Sequence, residues 1–253
     1  MSQPNLLQPI ETEIFPTPCP LPAHTASRRG GSECPTPSIA EKESPELLVL
    51  PRPVSYAFLK RSGDILGSLI LIVLLSPVFL IIALAVRLTS PGPIRYKSQR
   101  VGLGGKTFEF WKFRSMYVDA DERLAELKEH NEKDGPIFKI KQDPRITPIG
   151  RFLRKSSLDE LPQLFHVLFG QMSLVGPRPP LAHEVAEYDT YAMQRLSVKP
   201  GITCFWQVMG RSELSFQEWI DLDHKYLREM SLGTDLRILL RTPMAVIKGR
   251  GAY

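Results

Sequence analysis

Hydrophobic positions are spread very unevenly along this chain. Residues 1 to 52 show no hydrophobic period and are dense in Pro, Ser, Thr and Glu, as in Phe15-Pro-Thr-Pro-Cys-Pro-Leu-Pro22. Such a segment buries too little apolar surface to offset its ordering entropy and is expected to be a disordered tail. Residues 53–90 hold the longest apolar run, Ile65 to Val86. Its length matches the roughly 20 residues of a single bilayer-spanning helix. Two features favour a re-entrant helix instead. Pro77 lacks a backbone donor and clashes with the preceding turn, and Ser76 offers a hydroxyl to a carbonyl freed there, so Ser76-Pro77 is the expected break. Cations also flank both ends, Arg52, Lys60 and Arg61 before and Arg87, Arg95, Lys97, Arg100 and Lys106 after. The positive-inside rule then places both flanks in the cytoplasm.

Beyond the turn Ser90-Pro-Gly-Pro93, residues 91–253 read as one cytosolic domain. Ile94 to Phe113 alternates loosely around Gly102-Leu-Gly-Gly-Lys106, which predicts two short strands and a turn. Met116 to Lys133 has a helical period with many charges and predicts an exposed amphipathic helix. Leu161 to Leu168, closed by Gly170, predicts a buried helix. Leu181 to Leu196 and Phe216 to Met230 are further helices, and 234–248 a last, basic amphipathic one suited to packing on a core or lying on lipid. The fold class expected is α-rich α+β: a re-entrant membrane helix, a compact catalytic domain and interfacial amphipathic helices.

Charge narrows the partners. The net charge is +5, but residues 1–50 carry −3, leaving +8 on the remainder. A basic body suits anionic lipid, nucleotide phosphates or nucleic acid, and net charge alone does not choose among these three. The three cysteines, Cys19, Cys34 and Cys204, have no metal-ligand spacing and are odd in number, as in a reduced cytosolic protein. The polar, proline-rich start does not resemble a cleavable signal peptide.

The chemistry concentrates in Arg151-Phe-Leu-Arg-Lys-Ser-Ser-Leu-Asp-Glu-Leu-Pro162 and Ser173-Leu-Val-Gly-Pro-Arg-Pro179. Asp159 and Glu160 follow three cations, Arg151, Arg154 and Lys155. One reading is helix-end chemistry, because Ser157-x-x-Glu160 matches a capping box, although Pro162 would then fall where a backbone donor is wanted. The other is catalytic: one carboxylate attacks phosphorus and the other helps hold Mg²⁺, which takes one or two carboxylates plus substrate phosphates. Arg154 and Arg178 suit bidentate phosphate pairing, and Pro177 and Pro179 stiffen the backbone around Arg178. Lys112 and Arg114, two positions apart, would share one face of a strand. The histidines lack ligand spacing. Trp111, Trp206 and Trp219 suit core or interfacial anchoring better than base stacking.

Six segments together carry a family resemblance. They are Lys112-Phe-Arg-Ser-Met, Asp143-Pro-Arg-Ile-Thr, Ser157-Leu-Asp-Glu-Leu-Pro-Gln, Met172-Ser-Leu-Val-Gly-Pro-Arg-Pro, Lys199-Pro-Gly-Ile-Thr and Gly249-Arg-Gly-Ala-Tyr. From about residue 57 onward the chain resembles the bacterial sugar transferases, monotopic phosphoglycosyl transferases. The resemblance implies transfer of a sugar-1-phosphate, galactose or glucose, from a UDP-sugar to undecaprenyl phosphate with release of UMP. That step begins a surface polysaccharide at the cytoplasmic face of the bacterial inner membrane. It implies Asp159 as nucleophile, Glu160 with Asp159 at Mg²⁺, Arg154 and Lys112 on phosphate, and Arg178 at the nucleotide. Cys204-Phe205 and Ser98-Gln99 depart from the family's usual residues. Oligomeric state is left open, a homodimer being one option. The competing class is a membrane-tethered protein that binds anionic lipid or nucleic acid without chemistry. Nucleic acid is disfavoured because the cations sit beside carboxylates, which repel a phosphate backbone.

Overall fold

The computed structural model describes residues 52–132, 134–140, 142–249 and 251. The tail expected to be disordered therefore lies outside the described residues, apart from Arg52. Helix α1 (Val54–Leu74) and helix α2 (Ser76–Thr89) form a pair bent by 61° at Leu75. The break falls where the proline predicts it. Pro77 occupies the first turn of α2, where its missing N–H costs nothing, and the Ser76 hydroxyl donates to Val73 O at 2.8 Å. No single described helix is long and apolar enough to cross a membrane; the bent pair together meets that length and composition.

Both ends of the pair are tied to the same body. On α1, Arg61 donates to Val167 O and Leu168 O, Lys60 pairs with Asp235 at 2.7 Å, and Asp64 accepts from Ser173 Oγ and Leu174 N. At the far end, the Arg114 guanidinium donates to Ser90 O, Ser90 Oγ and Pro91 O. Between these ties Leu66, Leu69, Ile70, Val73, Leu74, Leu80, Ile81, Leu84 and Leu88 stay exposed. On the inner side Ile82 and Val86 pack with Phe113 and Leu153.

Strands β1 (Arg95–Val101) and β2 (Thr107–Phe113) make the expected antiparallel hairpin, with Tyr96 opposite Lys112. A short helix α3 (Leu124–Leu127) precedes helix α4 (Pro148–Lys155). A 3₁₀ turn, Leu158–Glu160, then leads to helix α5 (Gln163–Phe169), which Gly170 ends at φ 89°. Strands β3 (Ser173–Val175) and β4 (Gly201–Thr203) pair in parallel and were not expected. Gly176 and Gly201 allow the close approach, since a Cβ on Gly201 would lie 2.0 Å from Gly176 N. Helices α6 (Ala182–Ala186), α7 (Thr190–Met193), α8 (Phe205–Met209), α9 (Phe216–Glu229) and α10 (Leu232–Lys248) complete the order.

Two expected helices are corrected. Met116 to Lys133 is mostly turns, with α3 and a 3₁₀ turn at Lys128–His130 as its only described helix. Its charges surround the segment and leave too narrow an apolar stripe to stabilise a long helix by packing. Leu181 to Leu196 is not continuous either. Asp189 accepts from Ala192 N and starts a new helix, α7, so the segment divides. The fold class stands as helix-rich with short strands. Along α10, Leu232, Leu236, Leu240, Met244 and Ile247 form an exposed apolar stripe while Ile238 is buried.

Candidate active site

A cavity of about 940 Å³ opens beside the β1–β2 hairpin. Lys112, Arg154, Asp159, Glu160 and Arg178 all line it, so five of the residues singled out for phosphate chemistry converge in one place. The acid pair sits in the 3₁₀ turn after α4. Ser157 precedes it at φ 55°, in the left-handed region, and makes no capping hydrogen bond. The capping-box reading therefore fails: the turn presents the carboxylates to the cavity instead of capping a helix. A left-handed serine costs about 1–3 kcal/mol, the kind of strain that concentrates at functional sites.

Each cation is placed by a separate device. Lys112 comes from the end of β2 and reaches Glu160 Oε1 at 2.6 Å and Asp159 Oδ2 at 3.9 Å. Arg154 comes from α4, which lies directly on the backbone of Ser115. Thr147 N donates to Ser115 O, and Thr147 caps α4 by accepting from Gly150 N. A Cβ at Gly150 would stand 1.9 Å from Ser115 O. That contact sets Arg154, whose Nε donates to Ser115 Oγ at 3.0 Å.

Arg178 is held by its backbone. Four successive carbonyls are claimed: Pro177 O by Gly201 N, Arg178 O by Arg195 Nη2, Pro179 O by Arg100 Nη1 and Pro180 O by Val101 N. The prolines thus sit in a fully committed segment, and the Arg178 guanidinium lies 6.0 Å over the Trp206 ring. Arg114 is brought to the same cavity wall, but its guanidinium is spent on the Ser90–Pro91 carbonyls. It fastens the exit of α2, while Arg114 N donates to Ile94 O just past the end of β2, so Lys112 and Arg114 both face the cavity but only Lys112 meets the acid pair.

The two carboxyls differ electrostatically. Burial raises the Asp159 carboxyl above the ordinary aspartate range; Lys112 opposes this and Glu160 adds to it. Burial acts the same way on Glu160, but Lys112 and Arg178 outweigh it and hold Glu160 at about 2. The shorter contact from Lys112 explains the asymmetry. Neighbouring carboxyls with separated protonation suggest separated roles. Among the described residues no group of three or more His, Cys, Asp and Glu side chains forms a metal cage. The adjacent carboxylates Asp159 and Glu160 are oxygen donors of the kind Mg²⁺ takes, its shell completed by water and substrate phosphate oxygens.

Sequence reasoning missed several supports. Ser115 anchors Arg154, and Arg100 braces the Pro-Arg-Pro segment. Trp206 was expected to be an anchor, yet it lines the cavity beneath Arg178. Arg211 also lines the cavity, and no spacing marked it. His166 is structural: Nε2 accepts from Trp111 N and Nδ1 faces Gln171 Oε1 at 2.7 Å.

The family model described as "Bacterial sugar transferase" matches residues 55–249. The chain belongs to the bacterial sugar transferase family. It is 44% identical over 199 residues to the galactosyl transferase CpsE of Streptococcus agalactiae, covering 78% of this chain and 44% of that protein. It is 44% identical over 207 residues to the undecaprenyl-phosphate galactose phosphotransferase of Salmonella typhimurium, covering 79% and 42%. Against the exopolysaccharide production protein ExoY of Rhizobium meliloti, identity is 40% over 198 residues, covering 77% and 88%. The chain thus spans less than half the length of the first two relatives and most of the third. The matched region contains every residue placed in the cavity above.

Proposed function

We propose that this sugar transferase moves a hexose-1-phosphate, galactose or glucose, from a UDP-sugar to undecaprenyl phosphate. The observation that carries the reading is the buried Asp159–Glu160 pair facing Lys112, Arg154 and Arg178 in one cavity. A purely electrostatic phosphate binder would have no use for two acids there. In the reaction an Asp159 oxygen attacks the sugar-bearing phosphorus. The bond from that phosphorus to the bridging oxygen breaks, and UMP leaves with the electron pair. An oxygen of the lipid phosphate then attacks the same phosphorus, and the Asp159 carboxylate departs unchanged. Arg154 and Lys112 neutralise charge on the transferred group, and Arg178 holds the nucleotide side. Mg²⁺, held by Glu160 and Asp159, would supply further charge neutralisation at the phosphates. Galactose or glucose as the sugar accords with the printed names of the relatives.

The α1–α2 pair is read as a re-entrant hairpin with the catalytic domain on the cytoplasmic face. Ties at Lys60, Arg61 and Asp64 and at Ser90 to one body support this, because one domain does not sit on both faces of a bilayer. The test of activity is UMP release by purified protein with undecaprenyl phosphate, Mg²⁺ and a panel of UDP-sugars, beside Asp159→Asn. UMP from one donor, lost in the variant, is expected. UMP release that persists in Asp159→Asn would refute the nucleophile. Labelling of cysteines placed at 57 and 95 tests topology; access from opposite faces would refute the hairpin.

A further inference from the structure

Arginines lining the cavity include two contrasting groups. Arg100, Arg114 and Arg145 commit terminal guanidinium nitrogens to protein oxygens: Pro179 O, the Ser90–Pro91 carbonyls and the Asp143 carboxylate. Arg154 instead anchors by Nε alone, on Ser115 Oγ, and leaves its terminal nitrogens for the cavity. Arg211 shares that second arrangement. Its Nε donates to Gln207 O at 3.2 Å, and its Nη2 is buried without a hydrogen-bond partner. The residue is 7% exposed and lines the same cavity as the acid pair. Leaving a buried guanidinium nitrogen unpaired is costly, and because Nη2 is closed off from solvent, a small shift of the side chain towards the cavity would let a ligand oxygen remove that cost.

Backbone conformation points the same way. Arg211 sits at φ 53°, one of two described non-glycine residues with positive φ; the other is Ser157, beside Asp159. An arginine kept where glycine would be relaxed indicates that its side chain is needed there. The surroundings define the ligand. Glu160 lies within electrostatic reach of Arg211, and Trp206, with Arg178 above its ring, comes from α8 immediately before it. Arg211 therefore lines the cavity within reach of Glu160 and next in sequence to the helix whose Trp206 ring lies under Arg178, and Arg154 is fastened separately, to Ser115.

We propose that Arg211 is a donor-binding residue whose terminal nitrogens take oxygens of the diphosphate of a nucleoside-diphosphate sugar. The proposal deepens the transferase reading and rests on it. The planar fork of arginine suits two phosphate oxygens at once, and lysine at this position would supply charge without that geometry.

The test uses the full chain in detergent with two variants, Arg211→Gly and Arg211→Lys. Glycine relaxes the positive φ, so loss of the side chain is separated from damage to the backbone. UDP is the probe, titrated by calorimetry, and donor KM and kcat are read from UMP release. Arg211→Gly is expected to bind UDP about 10- to 100-fold more weakly, in line with loss of a hydrogen bond to a charged group. Donor KM should rise in step, the KM for undecaprenyl phosphate should stay within about twofold, and the melting temperature should not fall. Arg211→Lys should recover only part of the affinity. UDP affinity and donor KM within about twofold of wild type in Arg211→Gly would overturn the proposal. So would a fall in melting temperature that accompanies equal losses for both substrates, which marks a structural role. Wild-type protein that binds UDP through Arg211 yet releases no UMP would retire the transferase reading alone.

Discussion

Replacing Glu160 with Gln tests whether the Lys112 contact and the surrounding cations set the electrostatics of the acid pair. Glu160 is held at about 2, against 4.5 for an unperturbed glutamate. At about 1.4 kcal/mol for each pH unit, ionisation of Glu160 stabilises the fold by about 3 kcal/mol at neutral pH. The side chain is 19% exposed, so solvent screening takes only a modest share. The sign follows from the depressed value: the contribution is complete above about 4.5 and is lost as pH falls towards 2. By pH 3 less than half of it remains, on the order of 1 kcal/mol. For a body of this size 1 kcal/mol moves the melting temperature by about 2–4 °C, so Glu160→Gln should melt roughly 6–12 °C below wild type at pH 7. The assay is thermal unfolding in detergent with a chelator present, at pH 7, 4 and 3. A gap below about 2 °C at pH 7 would refute the reasoning. A gap that stays constant down to pH 3 would also refute it, because the loss would then come from packing and not from the charge.

Asp159→Asn should abolish UMP release without lowering the melting temperature, since burial already disfavours the charged form that Asn replaces. In wild type, turnover should decline on acidification through a pKa above the ordinary aspartate range, because the protonated Asp159 carboxyl is no nucleophile; a pH–rate profile measures it. Asp223→Ala should destabilise by about 3–5 kcal/mol in thermal or denaturant unfolding, because it strands Arg195, whose partner at 2.6 Å is as fully buried as itself. Gly150→Ala should cut kcat more than it raises donor KM. Its Cβ would lie 1.9 Å from Ser115 O, forcing α4 and Arg154 to shift against the site.

The bent helix pair, the β1–β2 hairpin, α5, α9 and α10 were legible because each buries a face through a regular period or is closed by a residue with one conformational use, such as Pro77 or Gly170. What escaped depended on contacts distant in sequence. Strands β3 and β4 have three residues each, too few to show alternation, and they exist because Gly176 and Gly201 let two segments touch. The site was readable in Asp159, Glu160, Arg154 and Arg178, where charges of both signs cluster near prolines, and in Lys112, which alternates with Arg114 along the chain. The fate of Arg114 was not, because its partners at Ser90 and Pro91 lie 24 and 23 residues away. Arg211 was equally hidden. Its signal is an unpaired nitrogen and a positive φ, and neither has a pattern in sequence.

The two halves of the proposed reaction require a water-soluble nucleotide and a membrane-held phosphate to reach the same carboxylate, and the cavity wall has a different character towards each. Pro93, Ile94 and Arg114, at the exit of α2, form part of the cavity wall. The apolar hairpin therefore ends on the rim of the site, held there by the Arg114 ties to Ser90 and Pro91. Trp206 from α8, Arg211 just after it and Arg178 from the Pro177–Pro179 segment line another part of the same cavity. An apolar face as long as that of α1 and α2 is unfavourable in water at about 25 cal/mol per Å², which argues for lipid around it. In the proposed reaction a carrier phosphate held in lipid would approach Asp159 from the hairpin side, and the nucleotide from the side of Arg178 and Arg211. In that proposed reaction one nucleophile is used twice, first towards the donor and then as the group the acceptor displaces, so a rim that meets the hairpin on one side and the Arg178–Arg211 side on the other suits it.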